Sequence, residues 1–408
     1  MSEALAAPSG SLSEALAAIP DRRRQHRRVH ELVPLLQLAV AAILCGARSL
    51  YAIAQWGRER LEDDPALLES LGLAPGRSPC VATLHRVFKG LDVAAFEAVV
   101  GGWLASSGVE PDDPLSMDGK TLRGIHGEEI PGVHLVAAYA SRSGAVLTQI
   151  AAPGKGQELA AAKEALSQVP LEGRVVVADA LLTQREICEQ VVAAGGEYLL
   201  PVKENQPTLY RDLEAAFSPL ETEGAGGPWV APWLAEEWRA RGATLTVWVD
   251  APPKRRHGRL ERRELWALAD PELNCYVGSA GVVGERWPHL QQVCRLERER
   301  RVKGQRQVEV GYAISSLPAP GADARRLLSL SRGYWGIENR LHWVRDVSMD
   351  EDRCQVRSGA APQAFAACRN LTLALLRRCK VSNIAAAFRT YAGRPHLAVA
   401  LVLSGGQE

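Results

Sequence analysis

The 408-residue sequence lacks the signatures of several protein classes. Its eight cysteines are scattered without the two-residue spacing of a zinc knuckle, so we expect free thiols in a reducing compartment. The longest apolar run, residues 32–46, contains Pro34 and Gln37 and is too short to span a bilayer. No basic start precedes an apolar run at the N-terminus, so no secretory signal is predicted. We therefore expect a cytoplasmic protein with no membrane partner.

The sequence also has little net charge, but its basic residues are unevenly placed. The formal net charge is +1, so no global field favours nucleic acid. Three segments are nonetheless strongly basic: residues 20–31, 254–263 and 295–306. Such stripes can follow a phosphate backbone without a high overall isoelectric point. Solvated helix and strand faces are the alternative interpretation of each segment.

Hydrophobic periodicity divides the chain into helical and mixed regions. Five short β-branched or apolar runs begin at residue 114, and helical patterns at 157–168 and 183–195 separate the last three. This order predicts an α/β fold: a ribonuclease-H-like mixed sheet with helices on both faces. The predicted segments are a leader (1–20), a helical N-terminal DNA-binding or associated domain (21–110), the first part of the α/β domain (111–218), a mostly β insertion (219–318), and its second part with C-terminal helices (319–408).

Three carboxylates from distant segments point to a metal site. Asp118 in LSMDGKTLRG and Asp179 in VVVADALLTQ close predicted strands, and Glu338 in YWGIENRLHWVRD lies in a helical pattern. Carboxylate oxygens suit Mg²⁺, which needs few protein ligands because water and substrate phosphates complete its octahedron. Two cations about 4 Å apart can clamp the attacking and leaving oxygens of a phosphodiester displacement. Without metal, clustered carboxylates are expected to raise each other's pKa values.

The helix predicted around Glu338 has an unusual face. Trp335, His342 and Arg345 lie three, four and seven residues from Glu338 and therefore share its side of an α-helix. An acid, a large ring, an imidazole and a guanidinium are not typical core residues. The alternative is an amphipathic helix with Glu–His and Glu–Arg surface pairs.

At these motifs the sequence resembles the DDE transposases of bacterial insertion sequences, and more narrowly their H-repeat-associated group. The resemblance spans nearly the whole chain and is clearest in MDGKTLRG, ADALLTQREICEQVVAAGGEYLLPVKENQPTLY and RGYWGIENRLHWVRDVSMDEDRCQVR. It implies a ribonuclease-H-like catalytic domain, two Mg²⁺ ions (Mn²⁺ as a substitute), and Asp118, Asp179 and Glu338 as catalytic metal ligands. Around the third acid, Tyr334 and Arg345 stand where the wider superfamily often has Arg and Lys.

The expected substrate is double-stranded DNA, both the terminal inverted repeats of an element and its target. The residues predicted to contact DNA are Lys120, Arg123, Lys203, Asn205, Arg332, Trp335, His342, Arg345, Arg255, Arg256 and Arg259. An ordinary surface position for Lys203 and a helix start for Asn205 are the alternatives. Core packing is the preferred interpretation of the insertion's Trp248, Trp266 and Trp287, and a capping or solvated loop that of the acids at 350–352.

These observations predict a transposase that hydrolyses element ends and joins the freed 3′-hydroxyl to target DNA. Because two ends must be brought together, we expect a homodimer or higher homo-oligomer on DNA. One alternative is a catalytically weakened copy that binds ends and regulates. Another is a domesticated metal-dependent nuclease that cuts without strand transfer.

Overall fold

The computed structural model describes residues 10–25, 28–125, 133–152, 154, 156–220, 232–251, 259–279, 287–302 and 305–407. The fold is mixed α/β, as predicted. The chain divides into two compact units. The first unit contains residues 1–170 and 336–408, and the second unit contains residues 171–335. Among the described helices, none is both long and apolar enough to cross a bilayer.

The first unit begins with helices whose starts are capped by side chains. They are α1 (Leu12–Ala17), α2 (Leu32–Leu44), α3 (Leu50–Asp63), α4 (Pro65–Ser70), α5 (Val81–Gly90) and α6 (Val93–Ser107). Ser11 and Glu14 form a capping box at α1, and the side chains of Ser49 and Asp92 accept backbone N–H bonds at α3 and α6. Nearly every residue of α2 is buried, which explains its continuous apolar sequence.

A three-stranded antiparallel sheet completes the first unit. Its strands are β1 (Leu115–Thr121), β2 (His134–Ala140) and β3 (Ala145–Ala151), in the order β1–β2–β3. Helices α6, α7 (Glu158–Ser167) and α13 (Ala361–Arg378) pack on these strands. Two further helices, α14 (Ile384–Gly393) and α15 (Pro395–Ser404), follow α13. The approach of α6 to β3 is close, because a Cβ on Gly101 would lie 1.8 Å from the carbonyl oxygen of Leu147.

The second unit contains a six-stranded mixed sheet. Its strands are β4 (Val175–Ala178), β5 (Glu197–Val202), β6 (Thr244–Asp250), β7 (Arg259–Ala269), β8 (Gln292–Val302) and β9 (Gln305–Ser315). Their order in the sheet is β4-β5-β9-β8-β7-β6. Strand β4 pairs in parallel with β5, and all the other pairs are antiparallel. Its helices are α8 (Arg185–Ala193), α9 (Pro207–Phe217), α10 (Pro232–Ala240), α11 (Pro271–Ser279) and α12 (Ala324–Gly336).

The element order confirms the predicted fold class. Three antiparallel strands are followed by a helix, a fourth strand, a helix and a fifth strand, as expected for a ribonuclease-H-like domain. The insertion is mostly β, and its four strands β6–β9 extend the sheet through the β5–β9 pair. Helices α10 and α11 within it were not predicted. Helix α12 continues through Gly333 without a break.

Arginines of the insertion strands are paired with glutamates of the same sheet. Glu261 pairs with Arg263 and Arg298, and Glu299 pairs with Arg301 and Arg306. Further pairs join Arg262 to Glu264, Arg295 to Glu297 and Arg300 to Glu309. Exposed ion pairs add little stability, but they reduce the charge that these strands present to a phosphate backbone. Of the insertion's tryptophans, Trp266 and Trp287 are buried as predicted, whereas Trp248 is partly exposed.

Candidate active site

Asp118 and Glu338 form an acidic pair in the first unit. Asp118 lies within β1 rather than at its end, because the strand continues to Thr121. Its Oδ1 accepts the backbone N–H of Gly119, and its Oδ2 lies 3.4 Å from Nδ1 of His342. Burial raises the pKa of Glu338, the charge of Asp118 raises it further, and His342 partly offsets both. The predicted effect of a neighbouring carboxylate on a pKa is thus seen at Glu338.

The helix that carries Glu338 is wider than an α-helix. It is π-helical over Ile337–His342 and again over Val344–Ser348. A π-helix bonds residue i to residue i+5, so a step of seven residues no longer returns to the starting face. His342 remains beside the acids, whereas Arg345 points into the protein and is fully buried. Because Arg345 is buried, its predicted contact with DNA is wrong. Its guanidinium has an internal role instead.

Arg345 is the centre of a buried polar network. Its Nε and Nη2 donate to Glu351 at 2.7 and 3.0 Å, and its Nη1 donates to Gln149 at 2.9 Å and Asn370 at 3.1 Å. Arg369 supplies a second guanidinium to Glu351 at 3.0 Å. These cations hold the pKa of Glu351 below its usual value against the effect of burial, which acts to raise it. The expected solvated loop at 350–352 is therefore wrong for Glu351.

Gln149 extends this network to the N-terminal helices. Its Nε2 donates to Glu97 of α6 at 3.3 Å. Burial raises the pKa of Glu97 to about 8, although Arg345 and the bond from Gln149 act to lower it. Glu97 is therefore neutral at pH 7, as expected for an acid in the core without a cation of its own.

Lys120 is also turned inward, two residues beyond Asp118. Its side chain is 8% exposed, and its ammonium pairs with Asp346 at 2.5 Å and with Asp352 at 3.9 Å. An ammonium committed to two acids has little capacity left for phosphate. The predicted contact of Lys120 with DNA is therefore corrected. Its ammonium instead forms an ion pair that joins β1 to the helix carrying Glu338. Arg123, by contrast, is exposed in a short 3₁₀ turn, Arg123–Ile125.

Asp179 belongs to the second unit and is held by its own local turn. It follows the last residue of β4, as predicted, and caps the 3₁₀ turn Ala180–Leu182, its Oδ1 accepting from the N–H of Leu182 at 3.2 Å. Asn205 donates from Nδ2 to the carbonyl of Ala180 at 2.6 Å. Gln206 donates to the carbonyl of Thr183 at 3.0 Å. Asn205 and Gln206 thus stabilise the turn that follows Asp179 by hydrogen bonds to its backbone carbonyls.

The other predicted DNA contacts are placed as follows. Lys203 is exposed beyond β5, and Trp335 is half exposed at the end of α12. Arg332 is partly exposed and is ion-paired with Asp250. Arg255 and Arg256 lie outside the described residues, and only the backbone of Arg259 is described, at the start of β7. In the basic run near the N-terminus, Arg22 pairs with Asp92 at 2.6 Å, and Arg23 and Arg28 pair with Asp21 at 2.7 and 3.4 Å.

The acidic pair suits a hard divalent cation. Both side chains are carboxylates, the ligand type that such cations prefer, and burial first and the charge of Asp118 second raise the pKa of Glu338. Within the described part of the chain, no three His, Cys, Asp or Glu side chains are placed together to hold a metal ion. The first unit therefore offers a metal two carboxylates, and water or substrate oxygens complete the coordination of such sites.

Comparison with protein families decides what kind of chain carries this site. Residues 110–375 match the family model described as "Transposase DDE domain", and residues 13–104 match "DDE_Tnp_1-associated". The chain belongs to the transposase DDE domain family. The DDE match includes Asp118, Asp179 and Glu338 and confirms the resemblance derived from the sequence motifs.

Curated relatives of this DDE-domain chain match most of its length. "Putative transposase YncI" of Escherichia coli O157:H7 is 29% identical over 91% of this chain and 88% of its own. "H repeat-associated putative transposase YhhI" of Escherichia coli K12 is 28% identical over 91% of each chain. An "Uncharacterized protein in dhlA 3'region" of Xanthobacter autotrophicus is 30% identical over 73% of this chain and 92% of its own. A solved piggyBac transposase synaptic complex with hairpin DNA gives a TM-score of 0.39 at 10% identity, covering 93% of this chain and 75% of that one, a likeness too low to carry an argument.

Proposed function

We propose that this DDE-domain chain is a DNA transposase that cuts the ends of an insertion sequence and joins the 3′-hydroxyl to target DNA. The observation that carries the proposal is the pairing of Asp118 with Glu338 in a chain whose DDE family match spans 110–375. Asp118, Asp179 and Glu338 would hold two Mg²⁺ ions, with Mn²⁺ as a substitute. Bound there, such cations would activate the attacking oxygen and stabilise the leaving oxygen of a phosphodiester.

The chain's own residues orient the acids. Gly119 N–H and His342 Nδ1 contact opposite oxygens of Asp118, so its carboxylate has a fixed rotation. Lys120 and the Arg345–Glu351 pair fix the helix of Glu338 from its inner side. In the second unit, Asn205 and Gln206 hold the turn of Asp179. The proposed partner is double-stranded DNA, bound by a homodimer or higher homo-oligomer because two ends take part.

A cleavage and joining assay tests this function. The full chain is incubated in Mg²⁺ with a labelled duplex that carries the element's flanking ends and with a supercoiled target. We expect cut ends and joined products from the wild type, and neither from Asp118→Asn, Asp179→Asn or Glu338→Gln, which keep side-chain volume. Normal end binding without cutting in the wild type would instead identify an end-binding regulator. Cutting without joining would identify a metal-dependent nuclease.

A further inference from the structure

A cavity with basic side chains in its lining lies in the first unit, apart from the acidic pair. It has a volume of about 930 Å³ and is lined by the end of α13, the start of α14, the β2–β3 turn and the helix of Glu338. Five basic side chains line it, and none of the described residues that line it carries a carboxylate. They are Arg142, Arg340, Arg377, Arg378 and Lys380. We call this feature the basic cavity.

Arg340 and Arg377 converge in the basic cavity, whereas Arg142 is ion-paired with Asp112 at 3.0 Å. Both Arg340 and Arg377 lie over Gly144, whose Cβ, if present, would be 2.9 Å from Nη2 of Arg340 and 3.0 Å from Cγ of Arg377. Burial lowers the pKa of Arg377, and the neighbouring Arg340 lowers it further. Arg377 donates from Nη1 to the carbonyl of Val381 at 2.9 Å, but its buried Nε has no hydrogen-bond partner. Mutual repulsion of this kind favours an anion between the cations.

The end of α13 has an ordinary cap that also brings cations to the cavity. Basic residues in the last turn of a helix are favoured by the helix dipole, and Arg377 and Arg378 occupy that turn. Lys380 follows with φ of +55°, at the left-handed position of a helix C-cap, where its N–H donates to the carbonyl of Arg377 at 2.9 Å and the N–H of Val381 donates to the carbonyl of Leu376 at 3.0 Å. Lys380 is exposed and brings a further cation to the basic cavity.

The composition of the lining favours a strand of nucleic acid. Beside its apolar side chains the lining has five basic ones, whereas a cavity for a small ligand typically has only a few polar groups. Trp343, which is 56% exposed, also lines it. A basic groove beside an exposed aromatic ring is the typical arrangement for a nucleic-acid strand. Arg340 and Trp343 come from the same π-helical region as Glu338, so this strand would lie along the helix that carries the acid.

We propose that the basic cavity binds the phosphate backbone of the DNA strand. The choice of DNA as the polyanion rests on the proposed function, whereas the anion site itself rests on the cavity. The residues that carry it, Arg340, Arg377, Arg378 and Lys380, were not among the sequence-predicted contacts. Arg377, Arg378 and Lys380 lie outside the acidic motifs, at a helix end whose sequence is typical of ordinary capping, whereas Arg340 lies two residues after Glu338.

The test measures DNA affinity against salt without cleavage. Fluorescence anisotropy of labelled duplex and single-stranded oligonucleotides is recorded in EDTA over a range of KCl concentrations. The variant is Arg377→Gln with Lys380→Asn, since asparagine accepts the left-handed backbone. The control is Arg86→Gln with Arg389→Gln, two exposed positions of the first unit outside the cavity. Each lost phosphate contact reduces the slope of log K against log[KCl] by about 0.9 for duplex and about 0.7 for single strands.

We expect the slope of log K against log[KCl] to fall by the equivalent of about one to two phosphate contacts in the cavity variant. The slope of the control should match that of the wild type. An unchanged slope in a variant that melts like the wild type would overturn the proposal. If the double variant does not fold, Lys380→Asn alone serves as the test, because Lys380 is exposed. Its salt slope should fall by the equivalent of about one phosphate contact. If the variant keeps its DNA slope but loses the thermal stabilisation given by inorganic phosphate, the cavity takes a small anion and the proposal is wrong.

This readout separates the two proposals. If the wild type neither cuts nor joins DNA but the salt slope of DNA binding falls in the cavity variant, only the proposed transposase activity is wrong. If the wild type cuts and joins DNA while the cavity variant binds DNA with an unchanged salt slope, only the proposed DNA contact of the basic cavity is wrong.

Discussion

Arg345 and Glu351 form a two-point ion pair with almost no exposed surface. Nε lies 2.7 Å from Oε2, and Nη2 lies 3.0 Å from Oε1. A planar guanidinium meets a carboxylate in this way with two parallel bonds, a geometry that an ammonium cannot reproduce. The helix that carries Glu338 is thus tied to the core by a contact of fixed direction.

Arg345→Lys should destabilise the protein without changing its contacts to DNA. Breaking a buried ion pair costs about 3–5 kcal/mol, and lysine restores only part of it because it cannot form both bonds. Urea unfolding should show this loss, and Arg353→Lys, at an exposed position, should unfold like the wild type. The salt dependence of DNA binding should stay the same. A reduced slope in folded Arg345→Lys would restore the DNA role predicted from sequence.

Glu338→Gln should stabilise the metal-free protein while it abolishes cleavage. The pKa of Glu338 is raised by burial and by Asp118, so the ionised carboxylate is less favourable in the folded state than in the unfolded chain. A neutral side chain of the same size removes that cost above the usual pKa of a glutamate. We expect a melting temperature about 1–2 °C higher in EDTA at pH 7.5. A lower melting temperature would show that the charge of Glu338 is compensated by the protein.

Glu97→Gln should flatten the dependence of stability on pH. The pKa of Glu97 is raised from 4.5 to about 8, so between these values the folded state retains a proton that the unfolded chain releases. The wild type should therefore lose stability as pH rises from 4.5 to 8, by at most about 1.4 kcal/mol per pH unit, and level off above 8. Urea melts at pH 5, 6, 7 and 8 measure the difference between wild type and variant. A constant difference over this range would contradict the assignment.

Asn205→Ala should slow cleavage without weakening DNA binding. Its Nδ2 bond to the carbonyl of Ala180 fixes the turn that begins at Asp179. Loss of a residue that orients a ligating carboxylate typically reduces activity about 10–100-fold. The cleavage rate should recover partly at higher Mg²⁺ concentration, a readout that a change in overall stability would not give. Weaker binding with a normal rate would favour the DNA contact predicted from sequence.

Two adjacent glycines of α6 give a matched pair. A Cβ on Gly101 would lie 1.8 Å from the carbonyl oxygen of Leu147, whereas a Cβ on Gly102 would meet nothing within 4 Å. Gly102→Ala should stabilise the chain by up to about 1 kcal/mol through helix propensity. Gly101→Ala should destabilise it, because backbone must move to accept the methyl group. The two variants should therefore shift the urea midpoint in opposite directions, and equal shifts would exclude the close approach.

Strands and helices could be predicted because their patterns are local. The apolar runs that became β1–β5 and the periodic segments that became α7 and α8 matched the structure closely. Asp179 was placed correctly, since a turn residue after a buried run marks a strand end. The family resemblance came from joint motifs and extended to the whole chain.

Side-chain directions at the site could not be predicted in the same way. Arg345 was placed on the face of Glu338 because α-helical spacing was assumed, and no sequence signal indicated the π-helical turns. Lys120 was taken as a contact to DNA because Asp346 and Asp352, its partners, lie more than two hundred residues away. Partner choice of this kind depends on tertiary packing, which local patterns do not contain.

The contact between Gly101 and Leu147 has a consequence for how this chain can be varied. Gly101 belongs to the region matched by the associated family model, and Leu147 belongs to the DDE match. The two regions therefore share one core. Gly101 of α6 leaves room for the backbone of β3 at Leu147, and Glu97 of α6 accepts a hydrogen bond from Gln149 of β3. A chimera that exchanged the N-terminal helices with those of a relative would fold only if the incoming helix kept a glycine opposite β3. The associated region therefore forms one structural piece with the part of the DDE region that lies in the first unit.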